Sequence, residues 1–176
     1  MCADTGGIEA YLILFGVGFI WLEMERMRMS GFGGTKREDL ENVFLESFPQ
    51  KDYDSISEAE RGRCVVYLGE TRGQGNYAIF EKSLLFDSWT RADRQVMEGM
   101  NHPMMVDAPA WGRMYLSLND RKIAKVFVTR GNETEEIVVD PTKPLAVITD
   151  YEIDKIVFLT ENNQEILEKD FLDSPY

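Results

Sequence analysis

The chain has 176 residues, 44% hydrophobic and 28% charged, the composition of an ordinary folded domain. That excludes a collagen, a disordered tail and a disulfide scaffold. Nineteen basic against 31 acidic side chains leave a net charge of −12, and such a field repels nucleic acid, whose binding needs a basic footprint.

The run from Ala10 to Leu22 reads AYLILFGVGFIWL, thirteen residues without a charge, bracketed by Glu9 and Glu23. A bilayer-spanning helix wants about 20 apolar residues. A secretory signal does not fit, because Met1 to Glu9 holds Asp4 and Glu9 and no Lys or Arg. Three readings stand open. The segment is a buried element, as a helix or as two short strands broken at Gly16-Val17-Gly18. Or it is a short single-pass membrane anchor, with Arg26 and Arg28 holding the C-terminal body in the cytoplasm. Or it is a non-native extension ahead of a start at Met24, Met27 or Met29.

Ser30-Gly31-Phe32-Gly33-Gly34 is read as a flexible joint, which closes a first region at residues 1–34. Thr35-Lys36-Arg37-Glu38 has the form of a capping box. Leu40, Val43, Phe44 and Phe48 follow at one-face helical spacing, and Pro49 supplies the stop. Ser57 to Glu60 is read as a further helical turn before Gly62. Cys64–Leu68 and Tyr77–Phe80 are expected strands joined by a loop from Gly69 to Gly75. Ser83–Phe86 suggests another short strand, and Arg91–Met100 a helix with Thr90 as cap and Val96, Met97 and Met100 on its apolar face. Asp107-Ala108-Pro109-Ala110 is the candidate boundary between a mixed region, 35–108, and a β-rich region, 109–176.

From Arg113 the pattern becomes one of short strands: Arg113–Leu118, Lys122–Thr129, Glu135–Val139, Leu145–Thr149, Lys155–Thr160 and Glu165–Glu168. The breaks at Asn119-Asp120, Gly131-Asn132, Asp140-Pro141, Asp150-Tyr151 and Asn162-Asn163 are made of turn formers. An antiparallel meander is the simplest topology, since strands joined by short links usually pair. The expected class is therefore α+β: an apolar N-terminal segment, a capped helix with a small mixed layer, then a C-terminal antiparallel meander.

Chemical motifs are sparse. His102, in Asn101-His102-Pro103, is the single histidine and has no local partner for a triad, and with no clustered cysteine it makes no zinc site. Cys2 and Cys64 lack short-range metal-ligand neighbours, so a reducing, cytoplasmic setting is expected. Gly31 to Lys36 departs from a phosphate loop because Thr35 precedes Lys36 and no glycine stands directly before that lysine. Gly69 to Gly75 lacks the G-x-G-x-x-G spacing. No catalytic residue, cofactor or metal is assigned.

Charge is uneven. Residues 109–131 sum to +4 and residues 132–176 to −9. The expected function is a non-catalytic acidic binding protein, of inhibitor, immunity or antagonist type, that engages a basic protein partner through electrostatic complementarity. The acids singled out for that contact are Glu133, Glu135, Glu136, Asp150, Glu152 and Asp154. Two alternatives are an accessory or structural subunit of a larger assembly, tied to a membrane through Ala10 to Leu22, and an enzyme without a recognisable motif.

Overall fold

A computed structural model describes residues 18–22, 24–25, 34–49, 52–97, 104–108, 112–170 and 172–173. Its body is built of antiparallel sheet with one short helix, α1 (Leu40–Ser47). The strands are β1 (Ser55–Arg61), β2 (Cys64–Thr71), β3 (Gln74–Lys82), β4 (Trp89–Met97), β5 (Met104–Ala108), β6 (Gly112–Ser117), β7 (Ile123–Arg130), β8 (Glu133–Val138), β9 (Leu145–Thr149), β10 (Lys155–Thr160), β11 (Glu165–Leu167) and β12 (Leu172–Asp173). They form three four-stranded sheets with orders β1-β2-β3-β4, β12-β5-β6-β9 and β11-β10-β7-β8. Among the described strands every pairing is antiparallel except β12 with β5.

Side-chain alternation stacks these sheets into layers. Val65 and Tyr67 of β2, with Ala78 and Phe80 of β3, face α1 and pack on Leu40, Val43 and Phe44. Their neighbours Cys64, Val66, Leu68, Tyr77 and Ile79 face the other way, onto Met114, Leu116, Ala146 and Ile148 of the second sheet. Tyr115, Leu145 and Val147 leave the far side of that second sheet and meet Val126, Val128, Ile156 and Phe158 of the third. The second sheet is thus covered on both faces, and β6 and β9 are buried at almost every position.

That double burial overturns the single meander. The expected C-terminal strands all form, but β6 and β9 pair with each other in the middle sheet while β7, β8, β10 and β11 make the outer one. A strand buried on both sides cannot share a sheet whose outer face carries Lys125, Glu136 and Glu165. The α+β expectation narrows accordingly to a β-rich fold with one helix.

Other local expectations also change. The helix expected over Arg91–Met100 gives way to strand: residues through Met97 belong to β4, paired with β3 along its length with a bulge opposite Ile79/Phe80, and residues 98–100 lie outside the described residues. The helix formers Ala92, Arg94 and Gln95 yield to the ladder, which buries Trp89 against α1 and Met97 in the opposite core. Ser57–Glu60 likewise lies in β1 rather than in a helical turn. Ser83–Phe86 forms the turn between β3 and β4 rather than a strand. Thr35 does not cap α1: it bridges Trp89 by two backbone hydrogen bonds of 3.2 and 2.8 Å, and a single 3-10 turn, Arg37–Asp39, intervenes. The loop expected between Gly69 and Gly75 contracts to Arg72-Gly73, whose φ values of 51° and 74° are those of a tight hairpin turn. Of the candidate boundary at Asp107–Ala110, Asp107 and Ala108 close β5 and pair with β6, and Pro109 and Ala110 lie outside the described residues.

At the β6–β7 corner, Asn119 takes a φ of 63° and is buried. Its side chain accepts the Ile123 N–H at 2.7 Å and donates to the carbonyls of Ile123 and Lys143, each at 3.1 Å. One asparagine so ties the β6–β7 and β8–β9 connections together.

Residues 18–22 and 24–25 are helical, with Phe19, Ile20, Trp21, Leu22 and Met24 exposed. Among the described residues no helix is long and apolar enough to cross a membrane. His102 and Cys2 lie outside the described residues.

Candidate functional site

The strand directions bring the β1–β2 turn, the last residues of β3, the start of β6, the end of β7 and the link after β9 to one end of the stack. Between them opens a cleft of about 560 Å³, lined by Arg61, Arg63, Cys64, Glu81, Gly112, Arg130 and Asp150 among others. Two glycines shape it. Gly62 turns β1 into β2 at a φ of 60°. Gly112 has a φ of 96°, and a β-carbon there would sit inside the Thr149 carbonyl oxygen.

Asp150 is the hub of this end. Arg61 donates to it with a fork, Nε to Oδ1 at 3.1 Å and Nη2 to Oδ2 at 3.0 Å. Arg130 donates to the same Oδ2 through Nη2, and its Nε reaches the Glu152 carbonyl at 3.0 Å. Arg61 comes from the first sheet, Asp150 follows the last strand of the second and Arg130 ends β7 of the third, so one carboxylate fastens three layers. The hydrogen bonds from Arg61 and Arg130 hold the Asp150 carboxyl below its ordinary range, and the bond to Asp150 holds the Arg61 guanidinium above its own. Arg63 is spent on the Lys82 carbonyl, at 2.9 Å from Nε, and on Glu81, at 3.4 Å. Burial, with Glu81 adding to it, pushes the Cys64 thiol up to about 12. The thiol is therefore protonated at physiological pH and is no nucleophile. This arrangement is chemically a clamp.

On the helix side of the same end, a recess of about 380 Å³ is lined by Lys36, Arg37, Glu60, Lys82, Asp87 and Trp89. Arg37 donates to Glu60 at 2.9 Å, to Tyr67 Oη at 2.9 Å and to Glu58, and stands 5.9 Å above the Trp89 ring.

The six acids singled out from the sequence gather at this end and along β8, but the structure gives them different surroundings. Asp150 is engaged as described. Glu135 lies 3.4 Å from Arg61 and Glu136 2.8 Å from Lys125, across the β7–β8 ladder. Asp154 accepts the Gly131 N–H at 2.5 Å, closing the β7–β8 turn. Glu133 and Glu152 are exposed, with no side-chain ion pair among the described residues. The acids of β8 also lie on an edge strand, where charge discourages pairing with another sheet.

The opposite end of the stack holds an acidic group that the sequence did not single out. Asp54 precedes β1, Glu70 is in β2, and Asp120 sits in the β6–β7 turn. Asp54 donates its N–H to the Glu70 carbonyl at 2.8 Å and accepts the Arg72 N–H at 3.0 Å through Oδ2. Burial raises the Glu70 carboxyl above its ordinary range, and the charges of Asp120 and Asp54 raise it further. α1 runs towards this end, and Glu41, Glu46 and Asp52 are exposed along the way. Spacing in the chain could not reveal the group, because Asp120 meets the others only through the stacking of sheets.

Among the described residues no group of three or more His, Cys, Asp or Glu side chains is arranged to hold a metal. The chain matches no protein-family model, and comparison with curated proteins and with solved structures finds no match.

Proposed function

We propose that the chain is a non-catalytic binding protein that engages a basic protein partner through its acidic surface, in the manner of an inhibitor, immunity protein or antagonist. The observation that carries the reading is the grouping of Asp54, Glu70 and Asp120 at one end of the stack, with Asp52 exposed two residues ahead of Asp54. Like charges held together are unfavourable in the free protein, and a cationic partner relieves them, adding affinity and speeding encounter. The net charge of −12 extends the same field beyond contact distance. The cleft acids serve mainly to bind the protein's own arginines, with Glu133 and Glu152 contributing at the rim.

The test is affinity capture with the full chain, identification of the partner and a salt titration with purified components. The affinity is expected to fall steeply with salt and to drop at least about tenfold in an Asp54→Asn/Asp120→Asn double variant. An affinity indifferent to salt, or turnover of a substrate by the purified chain, overturns the reading.

A further inference from the structure

Asn76 of β3 is fully buried, and neither the nitrogen nor the oxygen of its side-chain amide has a hydrogen-bond partner among the described residues. The hydroxyl of Tyr53 is buried and unpartnered as well. Buried side-chain polar atoms in folded proteins nearly always find a partner, either in the protein or in ordered water. These three atoms on two side chains therefore call for an occupant.

The register of the first sheet brings both to one face. Asn76 alternates in step with Ala78 and Phe80, which pack under α1, and its partner on β2 is Gly69. Tyr53 lies over that glycine: a β-carbon on Gly69 would stand 2.5 Å from Cδ1 and 2.6 Å from Cε1 of the ring. Directly opposed residues on one face are only about 5 Å apart, so the Asn76 amide lies beside the ring. Gly69 thus gives up a side chain to seat Tyr53 next to the amide. Phe44 closes the space from α1, with its ring centroid 5.1 Å from that of Tyr53 and 5.8 Å from that of Tyr67. Arg91 and Arg94 of β4 tie the end of α1 to the sheet, donating to the Ser47 hydroxyl at 2.8 Å and to the Ser47 carbonyl at 3.0 Å. Val96, the partner of Asn76 on β4, is exposed, so solvent is one strand away. Burial pushes the Tyr53 hydroxyl up to about 12, so it keeps its proton and can donate. The amide both donates and accepts. Water complements both groups and is small enough for a fully buried position.

We infer that a water molecule is bound between Asn76 and Tyr53 beneath α1, hydrogen-bonded to both. The site is independent of any partner. Tyr53 stands between Asp52 and Asp54, however, so the bridge fixes the stretch that carries two acids of the proposed surface. The test is a high-resolution crystal structure of the full chain, together with the melting of three variants. A water within hydrogen-bond distance of both the Asn76 amide and the Tyr53 hydroxyl is expected, and its absence from such a structure overturns the inference. Tyr53→Phe removes one oxygen and is expected to lower the melting temperature by about 3 °C, because the water loses a partner. A hydroxyl that was merely stranded gives the opposite sign, since its removal relieves an unpaired buried group. Asn76→Val is expected to lower melting by about 5 °C, and the double variant by less than the two losses together, because both act on the same water. A Tyr53→Phe variant that melts with the parent or above it overturns the inference, and so do losses that simply add. Should Asn76→Val fail to fold, Tyr53→Phe and the crystal structure decide the matter between them.

Discussion

At the cleft end Asp150 takes a forked bond from Arg61 and a further bond from Arg130, whereas at the opposite end burial, and after it the charges of Asp120 and Asp54, raise the carboxyl of Glu70. The same kind of side chain therefore has opposite consequences at the two ends. In the first case a carboxylate is lowered in pKa by its partners and helps to fasten three sheets. In the second, burial and two neighbouring acids disfavour the charge of the Glu70 carboxyl. A protein whose acids were merely a solubilising coat would show neither pattern, because a coat disperses its charges. Under the proposed function, the difference separates stability from binding. Changes at the cleft end should be read out mainly in folding, and changes at the other end mainly in association.

The largest effect is expected at Gly112, where the comparison can be broken most directly. Alanine there must hold a φ of 96° and place its β-carbon inside a carbonyl oxygen at the end of β9. The strands that flank the cleft would have to separate. A destabilisation on the order of 4 kcal/mol is expected for Gly112→Ala, measured as the shift of the urea unfolding midpoint at unchanged slope. A loss below about 1 kcal/mol would mean that the β6–β9 contact yields easily. The cleft end would then be no rigid clamp.

A smaller effect is expected at Asp150. Its side chain is 46% exposed, so the value of its ion pairs is discounted for solvent screening, and Asp150→Asn is expected to cost about 1 kcal/mol near neutral pH. The sign of the pH dependence follows from the lowered carboxyl. A depressed folded-state value contributes stability that is present above the unfolded value and lost as pH falls through the folded one. The difference between parent and variant should therefore be full near neutrality and vanish in acid. A difference that persisted unchanged in acid would show that the asparagine disturbs packing, not charge.

Why the two ends were not equally legible in the sequence is clear from particular residues. The strand at Cys64–Leu68 and those after Arg113 were readable because turn formers such as Asn119-Asp120 and Gly131-Asn132 punctuate them. The face of α1 was readable from Leu40, Val43 and Phe44, all buried at the spacing of one helical stripe. Sheet membership was not, since Met114, Tyr115 and Leu116 announce a strand without saying what covers each of its faces. Arg91–Met97 misled because Ala92, Arg94 and Gln95 favour a helix locally, and only pairing with β3 decides otherwise. The acids of the C-terminal region looked like open negative charge because Asp150 and Glu135 find Arg61 across 89 and 74 positions of chain. An ion pair of that range leaves no trace in local composition.

The smallest effect is the sharpest test of the comparison, because its sign is reversed. Burial first, then the charges of Asp120 and Asp54, raise the Glu70 carboxyl. A carboxyl raised in the folded state contributes stability that is present below its unfolded value and declines as pH rises through the folded one. Near neutrality the group is charged at a cost, and Asp120 adds to that cost. Asp120→Asn is therefore expected to stabilise the protein by about 0.3 kcal/mol near neutral pH, within the ordinary range of surface substitutions. The gain should shrink towards about pH 4, as Glu70 takes up its proton. Paired denaturation curves of parent and variant at the two pH values measure it. Stabilisation at the acidic end of the stack, beside destabilisation by Asp150→Asn at the cleft, would establish that the two ends hold charge for different purposes. A loss of stability from both substitutions would mean that Asp120 is held by favourable contacts of its own, and the acidic group would then be part of the scaffold instead of a surface kept for a partner.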